Sequence, residues 1–192
     1  EKKNDSWMAI NPIPGTFAWG GWKEVQTSSG NEIRLQHLLT LNPLPSNLLI
    51  KSVTKLELVV ALEMVDDEGI EHFYHHNEKG EVILSEEFDD YQTSYPAFKE
   101  CSILLSDQGE KFRYQDHQYG ENDNRLGGLP VFLQDYHYPD CCDCGRTMPF
   151  ILQLDSGLLL ENGEEQYWGS GGIAHVFWCD GCRVSAMCWV CT

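Results

Sequence analysis

The chain has 192 residues, of which 42% are hydrophobic and 11% aromatic, so it can bury a core and is not a disordered polymer. Thirteen basic residues against thirty acidic ones give a formal net charge of −17, which repels phosphate backbones and argues against a nucleic-acid partner. A basic protein or peptide fits this charge better, although an acidic surface can also serve solubility alone.

No apolar run is long enough to span a membrane, and residues 1–4 are polar, without the hydrophobic segment of a signal peptide. We therefore expect a cytoplasmic protein with no membrane partner. In a reducing compartment, clustered cysteine pairs are typical of metal ligands rather than of disulfides.

The first half of the chain predicts strands and turns. Residues 1–30 combine aromatic side chains with Gly and Pro, which indicates extended segments whose aromatics pack onto a sheet. Residues 56–64 alternate with a period of two and predict a strand of about nine residues. Two further strands are predicted at 70–76 and 82–84, with turns between them, so the three form an antiparallel meander.

Three histidines, His72, His75 and His76, fall in the middle strand of this meander. A metal site is conceivable, because His72 and His76 would share one face of a strand. No carboxylate or cysteine at ligand spacing accompanies them, so the sequence favours ordinary polar-face histidines.

The second half contains the clearest apolar strands, which are predicted at 150–154, 158–160, 174–178 and 183–190. No segment has the length and periodicity of a convincing helix. The predicted fold is therefore α+β, predominantly antiparallel β-sheet with few short helices. A polar, turn-rich stretch at 120–124 divides an N-terminal β-rich half, residues 1–124, from a C-terminal zinc-binding β half, residues 125–192, although both could form one compact domain.

Seven of the eight cysteines lie between Cys141 and Cys191. Cys141-x-x-Cys144 and Cys179-x-x-Cys182 can offer four thiolates to one tetrahedral Zn²⁺. In such knuckles two intervening residues let both sulfurs point the same way, and Gly145 and Gly181 would permit the tight backbone. Four thiolates leave no position for water, so the predicted zinc is structural rather than catalytic.

Three other cysteines leave alternatives open. Cys142 could replace Cys141 as a ligand, although Cys141-x-x-Cys144-Gly matches the knuckle better. Cys188-x-x-Cys191 could join Cys179 and Cys182 in a compact metal site, could be redox-active, or could be structural. The redox interpretation ranks last, because a reactive pair belongs at a helix N-terminus and this pair ends a β-like run.

No catalytic motif is present: the sequence lacks Gly-x-Ser-x-Gly, a phosphate-binding glycine loop and His-Glu-x-x-His. Carboxylates are so plentiful that nominating an acid/base pair among them means nothing without coordinates. Asp155 and His175, beside apolar strands, are the polar residues to watch, and both are interpreted as structural.

Four short motifs follow one another in the second half: Leu-Gly-Gly-Leu-Pro at 126–130, Cys141-x-x-Cys144, Met-Pro-Phe-Ile-Leu-Gln-Leu-Asp at 148–155, and His-Val-Phe-Trp-Cys at 175–179. In this order they resemble the YwqG-like family of uncharacterised bacterial proteins. With its cysteine pairs, the order is also similar, more distantly, to the eukaryotic programmed cell death protein 2 family, whose members bind zinc and act as a dedicated chaperone for a ribosomal protein. The resemblance covers residues 125–192. It implies a sheet-rich α+β fold without an established enzymatic activity, with the cysteines as zinc ligands.

These observations predict a zinc-stabilised protein-interaction module that binds a basic protein, either as a chaperone-like binder or as an immunity-like protein that masks a toxin. The competing class is an enzyme, either a thiol oxidoreductase using Cys188 and Cys191 or a hydrolase using carboxylates. A zinc ribbon that binds nucleic acid is a third class, and the net charge argues against it.

Overall fold

A computed structural model describes residues 14–65, 68–106, 124–133 and 138–191. Within these residues the strands are β1 (Thr16–Gln26), β2 (Glu32–Asn42), β3 (Leu56–Val60), β4 (His72–His76), β5 (Val82–Ile83), β6 (Phe98–Ser102), β7 (Arg125–Leu126), β8 (Phe150–Asp155), β9 (Leu158–Leu159), β10 (Glu165–Gln166), β11 (Ile173–Cys179) and β12 (Val184–Val190). The described helices are two 3-10 turns, Leu62–Met64 and Glu86–Phe88.

The strands build two larger sheets and one small hairpin. The first sheet has the order β3-β2-β1-β6, the second has the order β5-β4-β12-β11-β8-β7, and β9 pairs with β10. Every ladder between these strands is antiparallel. This confirms the predicted fold class, with even fewer helices than expected in the part of the chain described. No helix among those residues is long and apolar enough to cross a bilayer.

The predicted meander is only half right. Strands β4 and β5 form the expected antiparallel hairpin, in which His75 lies opposite Ile83. The strand predicted at 56–64 ends at Val60, and it pairs with β2 of the other sheet instead of with β4. The reason is burial: all five residues of β3 are buried, so both of its faces pack against the interior and neither belongs to a solvent-facing meander.

The apolar runs of the second half form strands as predicted. Strands β8, β11 and β12 lie side by side in the second sheet, with β11 between the other two. The main core combines residues of both sheets, among them Leu41 and Leu58 from the first and Leu152 and Val176 from the second. Strands β4 and β5 also belong to the second sheet, so residues from both sides of the predicted boundary share one sheet and one core.

Candidate metal centre and surface groove

The two cysteine pairs form two turns with the same backbone pattern. In the first, the N–H of Gly145 donates to the carbonyl of Cys141 at 2.8 Å, and Gly145 has a φ of 65°. In the second, the N–H of Arg183 donates to the carbonyl of Cys179 at 2.8 Å, and Arg183 has a φ of 56°. Both turns therefore need a left-handed residue directly after the second cysteine, which is easy for glycine and strained for arginine.

The sheet brings these two turns together. The first turn precedes β8, and the second connects β11 to β12. Because β8 and β11 are antiparallel neighbours, the start of β8 lies beside the end of β11, where the N–H of Trp178 donates to the carbonyl of Pro149 at 2.9 Å. The local spacing of the cysteines thus becomes a four-cysteine cluster through a long-range strand pair.

The sulfurs of Cys141, Cys144, Cys179 and Cys182 all lie within 4.8 Å of one another. The sulfurs of Cys144 and Cys179 are 3.7 Å apart. Four thiolates about 2.3 Å from one tetrahedral ion would be about 3.8 Å apart, so the donors and their spacing fit a closed structural site. All eight cysteines of the chain are free of disulfides. The cluster could therefore hold a metal ion.

Arg146 lies beside the cluster and lowers the pKa of one of its thiols. Its Nε donates to the sulfur of Cys144 at 3.3 Å, and this hydrogen bond lowers the pKa of Cys144. The resulting thiolate accepts a hydrogen bond from Cys182 and raises the pKa of that thiol. Cys144 is therefore better prepared than Cys179 or Cys182, whose pKa values are raised, to be a thiolate before a cation arrives.

Gly181 has a different role from the one predicted. Its backbone is not in the left-handed region, which in this turn is occupied by Arg183. A Cβ at Gly181 would lie 2.2 Å from Nη2 of Arg146. Gly181 leaves room for the guanidinium of Arg146, which would have to shift if a side chain were added, and its backbone does not need the conformational freedom of glycine that was expected.

Asp180, between the cysteines of the second pair, anchors this turn to a loop of the first half of the chain. Its Oδ1 accepts hydrogen bonds from the N–H groups of Lys51 and Ser52 at 2.8 and 2.9 Å, and from the Ser52 hydroxyl at 2.8 Å. The indole N–H of Trp178 also donates to it at 3.2 Å. Although these donors oppose a desolvation effect, they lower the pKa of Asp180 to about 2, so it is a carboxylate at neutral pH.

The alternative ligand Cys142 lies outside the cluster. It is exposed, and its sulfur lies beside Asp143 instead of the other three ligands. Burial of part of its thiol, with the nearby Asp143 carboxylate, raises the pKa of Cys142 to about 11. The structure thus places Cys141, and not Cys142, with Cys144.

The Cys188-x-x-Cys191 pair does not complete a metal site or a dithiol. Cys188 packs with Cys141 and Cys179 in a small apolar cluster, whereas Cys191 packs against the main core. The two thiols thus pack in different hydrophobic clusters and do not face each other as a pair. Burial raises the pKa of Cys188 to about 12, which opposes nucleophilic or redox chemistry there.

The other polar residues singled out in the sequence have separate positions. His76 is buried and its Nε2 lies 2.9 Å from the hydroxyl of Ser185. His175 is fully buried, with Nε2 at 2.9 Å from the carbonyl of Val131. Asp155 ends β8 and its Oδ1 accepts a hydrogen bond from the N–H of Ser156 at 2.8 Å. His75 is the exception, because Asp143 and Cys142 lie next to it although they are far away in sequence.

A groove of about 870 Å³ lies on the first sheet, and sequence reasoning did not find it. Its walls come from β1, β2, the loop 89–96 and residues 161–162, so no local pattern could reveal it. Three carboxylates line it, from Glu32, Asp89 and Glu161, against one guanidinium, from Arg34. The aromatic rings of Trp22, Tyr91 and Tyr95 line it as well.

The wall formed by loop 89–96 is held in place by hydrogen bonds to Glu63, which is half-buried, and to Gln36. The carboxylate of Glu63 accepts hydrogen bonds from the Tyr91 hydroxyl and from the N–H groups of Ser94 and Tyr95. The side-chain amide of Gln36, which is fully buried, donates to the Thr93 hydroxyl at 2.8 Å. The groove is therefore pre-formed, which lowers the entropy lost when a ligand binds.

Arg34, which lines this groove, contacts an aromatic ring and the carboxylate of a neighbouring strand. Its guanidinium carbon lies 4.0 Å from the ring centre of Trp22, and its Nε lies 3.7 Å from a carboxylate oxygen of Glu24. The three carboxylates outnumber this one guanidinium along the groove, so negative charge dominates there. The groove suits a ligand with positive charge and some apolar surface.

Over 63 residues, 33% of its length, the chain is 36% identical to the uncharacterized protein YpfL of Salmonella typhimurium strain LT2. The match covers 14% of that protein, so the chain corresponds to a small part of the relative's length. No protein-family model matches the chain, and no solved structure matches it either.

Proposed function

We propose that the chain is a zinc-stabilised protein-interaction module that holds a basic segment of a protein partner in the groove lined by Trp22, Glu32 and Asp89. The observation that carries the metal part of this proposal is the four-cysteine cluster, with one sulfur pair at 3.7 Å. Zn²⁺ is the best fit to four thiolates in a closed tetrahedral set. Its role is to stabilise the fold, since no coordination position remains for a substrate.

The partner part of the proposal rests on charge and shape. A net charge of −17 steers positively charged proteins towards the chain, and the groove adds three carboxylates and three aromatic rings at one place. Aromatic anchors beside charged rims are typical of protein interfaces. A chaperone-like module that shields a basic protein and an immunity-like module that masks a toxin would use the same surface.

The proposal extends the resemblance seen in residues 125–192. A YwqG-like protein, or a distant relative of the programmed cell death protein 2 family, would keep the cysteine pairs as zinc ligands and have no established enzymatic activity. We place the module in the cytoplasm, where thiolates remain reduced and available to the metal.

Metal analysis tests the first half of the proposal. Native protein should contain about one zinc per chain, as expected of one closed four-thiolate site. Cys144→Ser should remove the zinc and lower the melting temperature strongly, because metal binding contributes directly to folding. The matched control is Cys101→Ser, since Cys101 is exposed and lies outside the cluster. Metal-free protein that is fully folded would refute this half.

Charge reversal in the groove tests the second half. We expect Lys- and Arg-rich peptides to bind by fluorescence anisotropy, with an affinity that falls as salt rises. Glu32→Lys and Glu161→Lys should each weaken binding several-fold. Glu78→Lys introduces the same charge change at an exposed turn outside the groove and should have little effect. Equal losses in all three variants would show that net charge, and not the groove, attracts the peptide.

A further inference from the structure

The first cysteine turn carries two ligand-type side chains that the four-cysteine centre does not use. Cys142 and Asp143 lie between Cys141 and Cys144, and both are exposed. They lie next to His75 of β4, and one donor atom from each of the three residues lies within 4.8 Å of the other two. Two distant parts of the chain thus bring an imidazole, a thiol and a carboxylate to one place.

The sheet fixes the position of His75. It lies opposite Val184 on one neighbouring strand and opposite Ile83 on the other. Val184 is two residues beyond Cys182, so β4 runs directly beside the second cysteine turn. The N–H of His76 donates to the carbonyl of Arg183 at 2.8 Å, which joins the strand to that turn. The His75 ring is therefore held at the edge of the metal centre by the fold itself.

The distances between the donor atoms of these three residues fit the binding of one shared cation. Nε2 of His75 lies 3.1 and 3.2 Å from the two carboxylate oxygens of Asp143. The sulfur of Cys142 lies 3.6 Å from Oδ1 of Asp143. Ligands of one tetrahedral zinc ion, with bonds of about 2.0 to 2.3 Å, would give roughly 3.3 Å for nitrogen to oxygen and roughly 3.5 Å for sulfur to oxygen.

We propose that His75, Cys142 and Asp143 form a second metal site, which binds a borderline-soft divalent cation such as Zn²⁺ and exchanges it with solvent. Mixed imidazole, thiolate and carboxylate donors favour such ions over Mg²⁺ or Ca²⁺, which prefer oxygen ligands. Three protein ligands leave a fourth position open to water, in contrast to the closed four-cysteine centre. The His75 and Asp143 side chains are 45% and 41% exposed, so an ion can enter and leave without unfolding.

A metal-free interpretation uses the same contacts. The bond between His75 and Asp143 would then only attach the cysteine turn to β4, and Cys142 would be a bystander. The two interpretations differ in what Cys142 does, because its thiol is needed for metal binding and adds nothing to the His75–Asp143 contact. The experiment therefore centres on the sulfur.

The test uses untagged protein whose four-cysteine centre retains its zinc, as the proposed function requires, and titrates it with Co²⁺. We expect one equivalent of Co²⁺ per chain to bind without release of zinc, with a thiolate-to-cobalt charge-transfer band in the absorption spectrum. Cys142→Ser should abolish the band, and His75→Ala and Asp143→Asn should each weaken Co²⁺ binding at least tenfold. Cys101→Ser, which removes another exposed thiol, should keep both the band and the affinity.

Two results would overturn the proposal. One is the absence of a further equivalent, or a band that is unchanged in Cys142→Ser. The other, in protein first dialysed to one zinc per chain so that the exchangeable site is empty, is Co²⁺ uptake matched by an equal release of zinc, because that zinc can come only from the four-cysteine centre. A zinc content of one per chain before cobalt is added, which Cys144→Ser loses, shows that the first centre holds zinc, so failure of the proposed function is recognised separately. Melting temperatures of all variants show that a loss of binding is not a loss of folding.

Discussion

Asp180→Ala should destabilise the protein although it removes neither a metal ligand nor an apolar side chain. In the wild type, a single carboxylate oxygen of Asp180 accepts four hydrogen bonds. The donors are the backbone N–H groups of Lys51 and Ser52, the Ser52 hydroxyl and the Trp178 indole N–H. Alanine leaves these donors without their acceptor. The loop that contains Lys51 and Ser52 then loses its attachment to the second cysteine turn.

The expected cost follows from those bonds. A hydrogen bond to a charged group contributes about 1.5 to 3 kcal/mol, and partial access of water reduces that amount. Four donors share one oxygen and Lys51 is exposed, so we expect a total loss of about 2 to 4 kcal/mol in the free energy of unfolding. Asp180→Asn keeps an acceptor oxygen but loses the charge, and about half of that loss is expected.

Equilibrium unfolding in urea on zinc-loaded protein measures these losses, with the zinc content of each variant checked first. Asp90→Ala is the matched control, because Asp90 is exposed and its substitution should change stability by less than about 0.5 kcal/mol. Hydrogen exchange should also accelerate at the amides of Lys51 and Ser52. An Asp180→Ala protein as stable as the control, with both amides still protected, would refute the assignment of this anchor.

Three further predictions concern single groups. Burial lowers the pKa of His175 to about 4, so its stabilising effect is complete above pH 6.5 and is lost as the pH falls towards 4. From pH 7 to 5 we expect His175 alone to account for about 2 kcal/mol of lost stability, so His175→Gln should lose that much less in urea unfolding, while His76, whose pKa burial also lowers to about 4, keeps its own contribution. Gly145→Ala should lower the free energy of unfolding by about 1 kcal/mol, because Gly145 has a φ of 65°. Arg183→Gly, at the equivalent position of the second turn, should leave the stability unchanged or raise it. The reverse order of melting temperatures would contradict the shared turn geometry. The thiol of Cys188 should resist iodoacetamide at pH 8 in the folded protein, because burial raises its pKa to about 12, and rapid labelling in mass spectra would revive the oxidoreductase hypothesis.

Much of the second sheet could be predicted because its signals are local. The apolar runs that became β8, β11 and β12 are continuous, as expected of strands covered on both faces, and the spacing of each cysteine pair is a property of one turn. At two positions of the second cysteine turn, the residue type did not indicate the backbone conformation. Arg183 has a left-handed backbone that no sequence rule assigns to arginine, and Gly181 makes room for a neighbour instead of bending the chain.

The first sheet was harder to predict because its strands are interrupted and its pairing is not local. Strand β1 contains Gly20 and Gly21, both with positive φ, and its pairing with β6 shifts register between Trp19 and Gly21. Such a bulge breaks the alternation by which a strand is recognised. The partner of β3 could not be predicted because both faces of this strand are covered, and that burial is decided by the packing of the two sheets. The groove and the His75–Asp143 contact arise from the same kind of long-range assembly.

The four-cysteine cluster and the groove lie in different parts of the fold, so the proposed stabilising role and the proposed binding role belong to different sites. The four-cysteine cluster joins the start of β8 to the turn between β11 and β12, whereas the groove is built on β1, β2 and the loop 89–96. None of the four clustered cysteines lines the groove. If the metal only stabilises the fold, Glu32→Lys should weaken peptide binding and leave the zinc in place. In the other direction, Asp180→Asn should lower stability and leave the peptide affinity of the folded, zinc-loaded protein unchanged. A peptide affinity that falls together with stability in Asp180→Asn would mean that the metal turn also shapes the binding surface, and the separation of roles would then be wrong.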